Sequence, residues 1–531
     1  MSTYRVLVAD PISEKGVEAL RAAPEITVDV ITGLKPAELL PIIGQYHGLV
    51  VRSQTKVTAE VFAAATNLKA IGRAGVGVDN IDRASATDHG VVVMNTPSGN
   101  TISTAEHAFT LMLSLARNIP QAHASIIAGK WDRKSFEGVE ILGKRLAVIG
   151  MGRIGTEFAK RAQAFGMTVV AYDPFLTSAR AQSLKMELAQ SVDEALAGAD
   201  VVTLHIPLTA DTKHLLNHER ISLMNQGALI VNCARGGLVD EAAAKALLDS
   251  GHLAGIALDV YETEPPTAEF PLLGAKKCVF TPHLGASTAE AQENVGTEVA
   301  LQIRDFLTTG EIRNAVNMPN LDAHTLESVG PYLSLASSLG KLLSKIGPGQ
   351  CDSVRVSYLG AVSELDTELI TRTVLTGYLA DAHSEAQVNL VNAPAIAKAH
   401  GIQVVEATAA LATNCTELIE VSAVKGSEIC TVAGTFYGSA ARIVHISGHN
   451  VETSPRGRFL FVENDDRPGM VGTVGMSLGN ASVNIANMAL SRTSDRSRAV
   501  TVIEVDTEPP ASLLEKLRQT PGILRVICFE L

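Results

Sequence analysis

Three polar residues stand just after three strand-like runs: Arg235 after "ALIVNCA", Glu264 after "GIALDVY" and His283 after "CVFTP". In an open parallel α/β sheet, ligands lie beyond the carboxyl ends of the strands, so the three can converge although 48 positions separate Arg235 from His283. Together they suit the oxidation of a secondary alcohol. A histidine titrates near neutral pH and can take the hydroxyl proton while hydride leaves the carbon. A carboxylate beside it favours the imidazolium and fixes the ring. An arginine fork grips a substrate carboxylate and polarises the adjacent oxygen. Taken singly, each has a plainer reading: a surface ion pair for Arg235, a loop acid before Pro265 for Glu264, a satisfied core histidine for His283.

A second constellation supplies the hydride acceptor. Gly150-Met-Gly152-Arg-Ile-Gly155 follows a strand-like run and opens a helix-like one, and Asp173 ends the next strand, 18 positions after Gly155. Strand, glycines, helix, strand and acid in this register predict a dinucleotide site. The glycines permit a tight turn and bring a pyrophosphate against the helix N-terminus, where free N–H groups favour anions. Asp173 accepts both ribose hydroxyls and repels the extra phosphate of NADP, which selects NAD. The plainer reading is a tightened strand-to-helix turn.

These residues need a scaffold. From Tyr4 to Pro97, "RVLVAD", "ITVDVI", "GLVVRS", "LKAIGRAG" and "GVVVMN" alternate with helix-like pieces, as in a parallel layer. A helix opened by a Ser103-x-x-Glu106 capping box follows, with Ala105, Ala108, Phe109, Met112 and Leu113 on one side. Six more strand candidates run from "RLAVIG" to "CVFTPH" in a doubly wound pattern. A helix capped at Ser287-x-x-Glu290 is expected to return the chain to the first layer and to stop near Gly310. "NAVNMPNLD" (314–322) and "VETSPRGR" (451–458) read as linkers, hairpins lie around "AVKGSE" and "TFYGSAAR", and the tail runs βαββαβ. The predicted class is α/β: two doubly wound Rossmann-like domains, for substrate (1–98, completed by 286–316) and NAD (99–285), then an α+β domain (317–453) and a ferredoxin-like βαββαβ domain (454–531).

At 531 residues the chain exceeds what a single core serves. With 44 basic against 56 acidic residues it has no general attraction for nucleic acid or anionic membrane. Its longest helix-like apolar run, "AFTLMLSLA", falls well short of a bilayer span. The N-terminus enters a strand at once, leaving no room for a signal peptide. Six scattered cysteines show no metal-ligand spacing, so reduced cytoplasmic thiols and no metal are expected.

"VIGMGRIG", "NCARGG", "DVYETEPP" and "TPHLGAST", with "GRAGVGVDNID" upstream, resemble the signatures of the D-isomer-specific 2-hydroxyacid dehydrogenases. The resemblance implies that Arg235 orients the substrate carboxylate and carbonyl, that His283 is the general acid/base and that Glu264 supports it. It also implies that Arg153, Ile154, Ile206, Cys233, Ala234, Asp259, Gly285 and Ala286 lie near NAD, with Arg235 and His283. Val76 departs from relatives that carry a hydroxyl residue there.

Arg52 and Arg73 also follow strands, and two guanidiniums beyond the one a carboxylate needs suit a phosphate; as plain surface arginines they would be unremarkable. Over its whole length the chain resembles the long branch of that family, which oxidises D-3-phosphoglycerate to 3-phosphohydroxypyruvate at the first step of L-serine biosynthesis. The resemblance implies that Arg52, Arg73, Gly75 and Val76 bind the phosphorylated substrate, and that Arg133 or Lys134, near Trp131, reaches a neighbouring subunit's cleft. "LVNAPAIAKAHGI" (390–402) looks like that branch's intervening domain, where Arg442, His449 and Arg456 would hold an allosteric anion.

Physically, "ENDDRPG" closes a strand, with Asp466 as a helix N-cap and Pro468 in the first turn. With "VNIANM" it resembles an ACT domain, which pairs edge to edge with another copy. Asn464, Asp466 and Asn484 match the serine-binding positions, and a homotetramer with serine as effector is implied. The alternatives are a glyoxylate/hydroxypyruvate reductase or another D-2-hydroxyacid dehydrogenase and, in another class, an NAD(H)-sensing corepressor-like scaffold. The ACT-like tail argues against both.

Overall fold

The computed structural model describes residues 3–380, 388–410, 415–493 and 495–531. Short β-branched runs build a first parallel sheet from β1 (Tyr4–Val8), β2 (Ile26–Val30), β3 (Gly48–Val51), β4 (Ala70–Arg73) and β5 (Val92–Asn95), in the order β2-β1-β3-β4-β5. The helix Ala289–Thr309 returns to this layer and buries Val295, Val299, Ile303 and Leu307 against Val6, Val8, Val50 and Met94. Thr288, one residue beyond the expected Ser287, caps it by accepting the Ala291 N–H, and Gly310 closes it in the left-handed region at φ 80°. Its backbone crosses the helix Glu14–Arg21 so closely that a Cβ at Gly296 would stand 2.9 Å from the Ser13 nitrogen.

The second sheet holds β6 (Arg145–Ile149), β7 (Thr168–Tyr172), β8 (Glu187–Leu188), β9 (Val201–Leu204), β10 (Ala228–Asn232), β11 (Leu253–Leu258) and β12 (Cys278–Phe280), all parallel, in the order β12-β11-β10-β9-β6-β7-β8. The strand order reverses beside β6, the switch point where such sheets bind ligands. The helix Thr101–Ala116 links the layers and packs Met112 and Leu115 in one cluster with Val148 and Val231. It starts after Asn100 rather than at a Ser103 capping box. Ser103 Oγ instead donates to the Gly285 carbonyl at 2.8 Å, and Glu106 pairs with Arg161.

The expected linker 314–322 is partly a sheet edge. Ala315 bridges Met94, Val316 N–H donates to Val93 and Asn317 bonds both Val93 and Val91. Beyond it, the helices Ala323–Ile346 and Thr367–Leu379 cover a mixed sheet of β13 (Ser353–Gly360), β14 (Gln403–Ala409), β15 (Glu417–Lys425), β16 (Glu428–Tyr437), β17 (Ala440–Ile446) and β18 (His449–Thr453). The second expected linker begins inside β18, leaving only 454–457 between strands. Asn389 Nδ2 donates to the Gly90 carbonyl at 2.9 Å, tying this unit to the first layer.

The tail forms β19 (Arg458–Asp465), the helix Met470–Asn480, β20 (Ile485–Arg492), β21 (Arg498–Val505), the helix Ala511–Arg518 and β22 (Ile523–Glu530), with the antiparallel order β20-β21-β19-β22. This is the expected ferredoxin-like arrangement. No helix among the described residues is long and apolar enough to cross a membrane.

Candidate active site

Arg235, Glu264 and His283 follow β10, β11 and β12 and meet at their carboxyl ends. His283 Nδ1 lies 2.8 Å from Glu264 Oε2, while Glu264 Oε1 accepts the Tyr261 N–H at 3.1 Å. The Glu264 hydrogen bond raises the histidine above its ordinary value, against burial and the Arg235 charge, which lower it. Burial pushes Glu264 up, but the histidine bond and charge outweigh it and leave the carboxyl below its usual value.

His283 stands at φ 56°, a region costly for any residue but glycine. Asp259, 1% exposed, secures that turn: its Oδ1 accepts the Leu284 N–H at 2.7 Å and its Oδ2 the Gly285 N–H at 2.8 Å. Thr281 Oγ1 and His107 Nε2 approach the same Oδ1, at 2.6 and 3.1 Å. Burial pushes Asp259 up, but the bonds from His107, Thr281 and Leu284 hold it below its ordinary range. Gly285 has both backbone groups engaged, its carbonyl accepting Ser103 and Thr104, and the Ala286 carbonyl accepts Gln292. Asn232, 1% exposed, shapes the turn before Arg235 through bonds to Ala234 N and Arg235 O.

Arg235 donates from Nη1 to the Ala234 carbonyl at 2.6 Å and from Nε to Asp79 Oδ2 at 3.0 Å. Arg73 ends β4 close by. Burial, joined by the Arg235 charge, pulls Arg73 down to about 10, so it stays cationic near neutral pH, and its buried Nε has no hydrogen-bond partner. Arg52 adds a third guanidinium to this cluster. Its N–H is held by Asp10, whose other oxygen takes Thr55. Gly75 donates its N–H to Thr96 Oγ1 and its carbonyl accepts the Thr96 N–H. Its place beside Arg73 is set by space, since a Cβ there would overlap the guanidinium. The Val76 carbonyl accepts Asn95 Nδ2.

The glycine loop fits a dinucleotide. Gly150, at φ 95°, leaves no room for a Cβ against His205 and Ile206, and a Cβ at Gly155 would strike the Gly150 carbonyl. Gly152, by contrast, faces open space at the N-cap of the helix Arg153–Ala164, where a pyrophosphate can approach the first N–H groups, those of Arg153 and Ile154 among them. Asp173 Oδ2 accepts the Met151 N–H and Oδ1 the Phe175 N–H, which aims the carboxylate along the loop. Cys233 is buried after β10, and burial drives its thiol well up.

Sequence reasoning missed Asp10, Asp79, His107 and Asn232, each of which acts on a site residue through a contact its position does not announce. Elsewhere the expected residues are less gathered. Arg442 and His449 stand on the β17–β18 hairpin, Arg442 3.9 Å from Glu452, and Arg456 Nη2 donates to Ser334 Oγ at 2.9 Å. Asp466 is not an N-cap: it pairs with Arg492 at 3.3 Å, and the helix begins at Gly469, φ 94°, after Pro468 rather than with it. Asn464 aligns with Ala499 on β21, whereas Asn484 bonds Asp506 at the other end of that strand. Seven strand positions separate the two, about 23 Å. Trp131 is 82% exposed, with Arg133 and Lys134 beside it on the surface.

Residues 109–285 match the NAD binding domain of D-isomer specific 2-hydroxyacid dehydrogenase, 328–447 the D-3-phosphoglycerate dehydrogenase intervening domain and 458–522 the ACT domain. The cofactor is NAD. The chain is 42% identical to D-3-phosphoglycerate dehydrogenase of Archaeoglobus fulgidus, over 99% of this chain and 100% of the relative. Identity to that of Bacillus subtilis is 39%, over 99% and 100%. A solved structure, cofactor (NAD+) bound 3-phosphoglycerate dehydrogenase in Entamoeba histolytica, aligns at TM-score 0.51 and 29% identity over 60% of this chain and 99% of that one. The chain belongs to the D-3-phosphoglycerate dehydrogenase family of D-isomer specific 2-hydroxyacid dehydrogenases.

Proposed function

We propose that the protein oxidises D-3-phosphoglycerate to 3-phosphohydroxypyruvate, the first step of L-serine biosynthesis. The observation that carries this is the end-to-end match to relatives of that name, in a chain whose cleft holds Arg52, Arg73 and Arg235. NAD, when bound, supplies the hydride acceptor.

Glu264 holds Nδ1 of His283, leaving Nε2 to take the C2 hydroxyl proton during oxidation and return it in reduction. Arg235 grips the carboxylate and polarises the C2 oxygen, and Arg52 and Arg73 take the phosphate. A scaffold that only senses NAD(H) has no use for a phosphate-sized cluster of guanidiniums.

The protein acts as a homotetramer. The helix Ile119–Ile127 buries none of its residues, and Ile127, Trp131 and Leu142 are 75%, 82% and 73% exposed, an apolar face that a second copy would cover. The ACT module supplies a separate pairing surface. Serine binds there between two copies, through Asn464 and Asp466 of one and Asn484 of the other, and lowers turnover. Five free cysteines, Cys233, Cys278, Cys351, Cys430 and Cys528, fit a cytoplasmic setting.

The test follows NADH absorbance with 3-phosphohydroxypyruvate, hydroxypyruvate, glyoxylate and 2-oxoglutarate, with and without serine. Preference for the phosphorylated acid is expected. Preference for an unphosphorylated one overturns the substrate assignment.

A further inference from the structure

The geometry points to Asp79 as the positioning residue for Arg235: a carboxylate from the first layer that clasps the substrate-gripping arginine of the second and aims its end-on edge at the ligand. The inference rests on the proposed role of Arg235.

The arginine's five N–H groups divide cleanly. Nε–H goes to Asp79 Oδ2 at 3.0 Å, and one Nη1–H goes to the Ala234 carbonyl at 2.6 Å. One Nη1–H and one Nη2–H form the end-on edge, the one that can take a carboxylate in two parallel bonds, and the second Nη2–H lies on the side edge beside Nε–H. Gly77 fixes the third side: a Cβ there would overlap Nη2. The guanidinium is therefore held by a carboxylate from across the cleft, by its own main chain and by a neighbour without a side chain.

Two further observations favour a functional reading of the pair. Arg73, buried and cationic, stands close enough to Arg235 and to Arg52 for the like charges to repel. Without a counter-charge, Arg235 would relax away from Arg73; Asp79 offsets that repulsion from the solvent side. Asp79 is also 74% exposed. An ion pair so open contributes little to folding, so stability does not account for it. When a ligand displaces water from the cleft, the same pair strengthens. Because the acid belongs to the loop after β4 and the arginine to the loop after β10, the grip is complete only when the two layers stand at this spacing. Gripping the carboxylate and closing the cleft thereby become one event.

The test is a double-mutant cycle on the full-length enzyme with Asp79→Asn, Asp79→Glu and Arg235→Lys, assayed in reduction with both 3-phosphohydroxypyruvate and hydroxypyruvate. Asp79→Asn should lower kcat/KM at least tenfold, mainly through KM, with NADH affinity within twofold of wild type, and Asp79→Glu should recover part of the loss. In the Arg235→Lys background, where no Nε–H remains to be held, Asp79→Asn should cost less than twofold. A full-sized Asp79→Asn effect persisting in that background overturns the proposal, as does Asp79→Asn alone remaining within twofold of wild type or lowering KM. Wild-type preference for hydroxypyruvate would overturn the phosphoglycerate assignment alone, since the clasp is read on either acid.

Discussion

His283 Nδ1 and Glu264 Oε2 lie 2.8 Å apart, and this bond, more than burial, sets where the histidine titrates. Oxidation requires the neutral imidazole and reduction the imidazolium. Because Glu264 raises the histidine, oxidation should fail as pH drops through that raised value, and reduction should persist to higher pH than an unassisted histidine would allow. Glu264→Gln removes the charge and should move both limbs to lower pH while cutting kcat by about 10 to 100-fold. Profiles of kcat/KM against pH in both directions measure this; limbs that stay in place would separate the pair from proton transfer.

His283→Ala should lower kcat by about 10² to 10⁴-fold, the usual contribution of a positioned acid/base. NADH binding, followed by calorimetry, should survive. Joint loss of binding and turnover would mean that the substitution had collapsed the turn held by Asp259.

Asp173→Ala should raise the KM for NAD by at least about tenfold and narrow the preference over NADP, because the carboxylate is the group that disfavours a 2′-phosphate. Steady-state kinetics with both cofactors decide it. An unchanged ratio would leave Asp173 as a brace for the glycine loop only.

Gly296→Ala places a methyl 2.6 Å from Ser13 Oγ and 2.9 Å from the Ser13 nitrogen; the hydroxyl can turn away but the backbone nitrogen cannot. A loss of about 1–3 kcal/mol is expected from this overpacking, read by urea unfolding of the variant beside wild type. No loss would mean that the two helices separate freely.

The opposed positions of Asn464 and Asn484 give a prediction about mixtures. Asn464→Ala and Asn484→Ala should each abolish serine inhibition, measured against each variant's own uninhibited rate. Subunits of the two variants dissociated and reassembled together should regain part of it, since some pairs then present an intact Asn464 opposite an intact Asn484. A mixture as insensitive as its parents would rule out a site shared in this way.

What the sequence revealed was local or topological. Strand periodicity, the glycine loop and Asp173 are encoded within short windows, and the convergence of Arg235, Glu264 and His283 follows from a rule about where consecutive parallel strands end. The supporting groups are encoded nowhere nearby. Asp79 acts on a residue 156 positions away and His107 on one 152 away, and only three-dimensional proximity joins them. Helix starts were misread by a residue or more at Asn100, Thr288 and Gly469, because several residues in each stretch can cap and tertiary contacts choose among them. The two-residue β8 is too short to carry a period.

The ends of one four-stranded sheet hold Asn464 and Asn484 too far apart to touch a single amino acid. An effector that needs both must therefore recruit two chains, and its apparent affinity becomes linked to how much enzyme is present. Dilution would then act as an activator: below the concentration at which subunits associate, the same serine would leave the catalyst unrestrained, so feedback would tighten as the cell makes more of the protein.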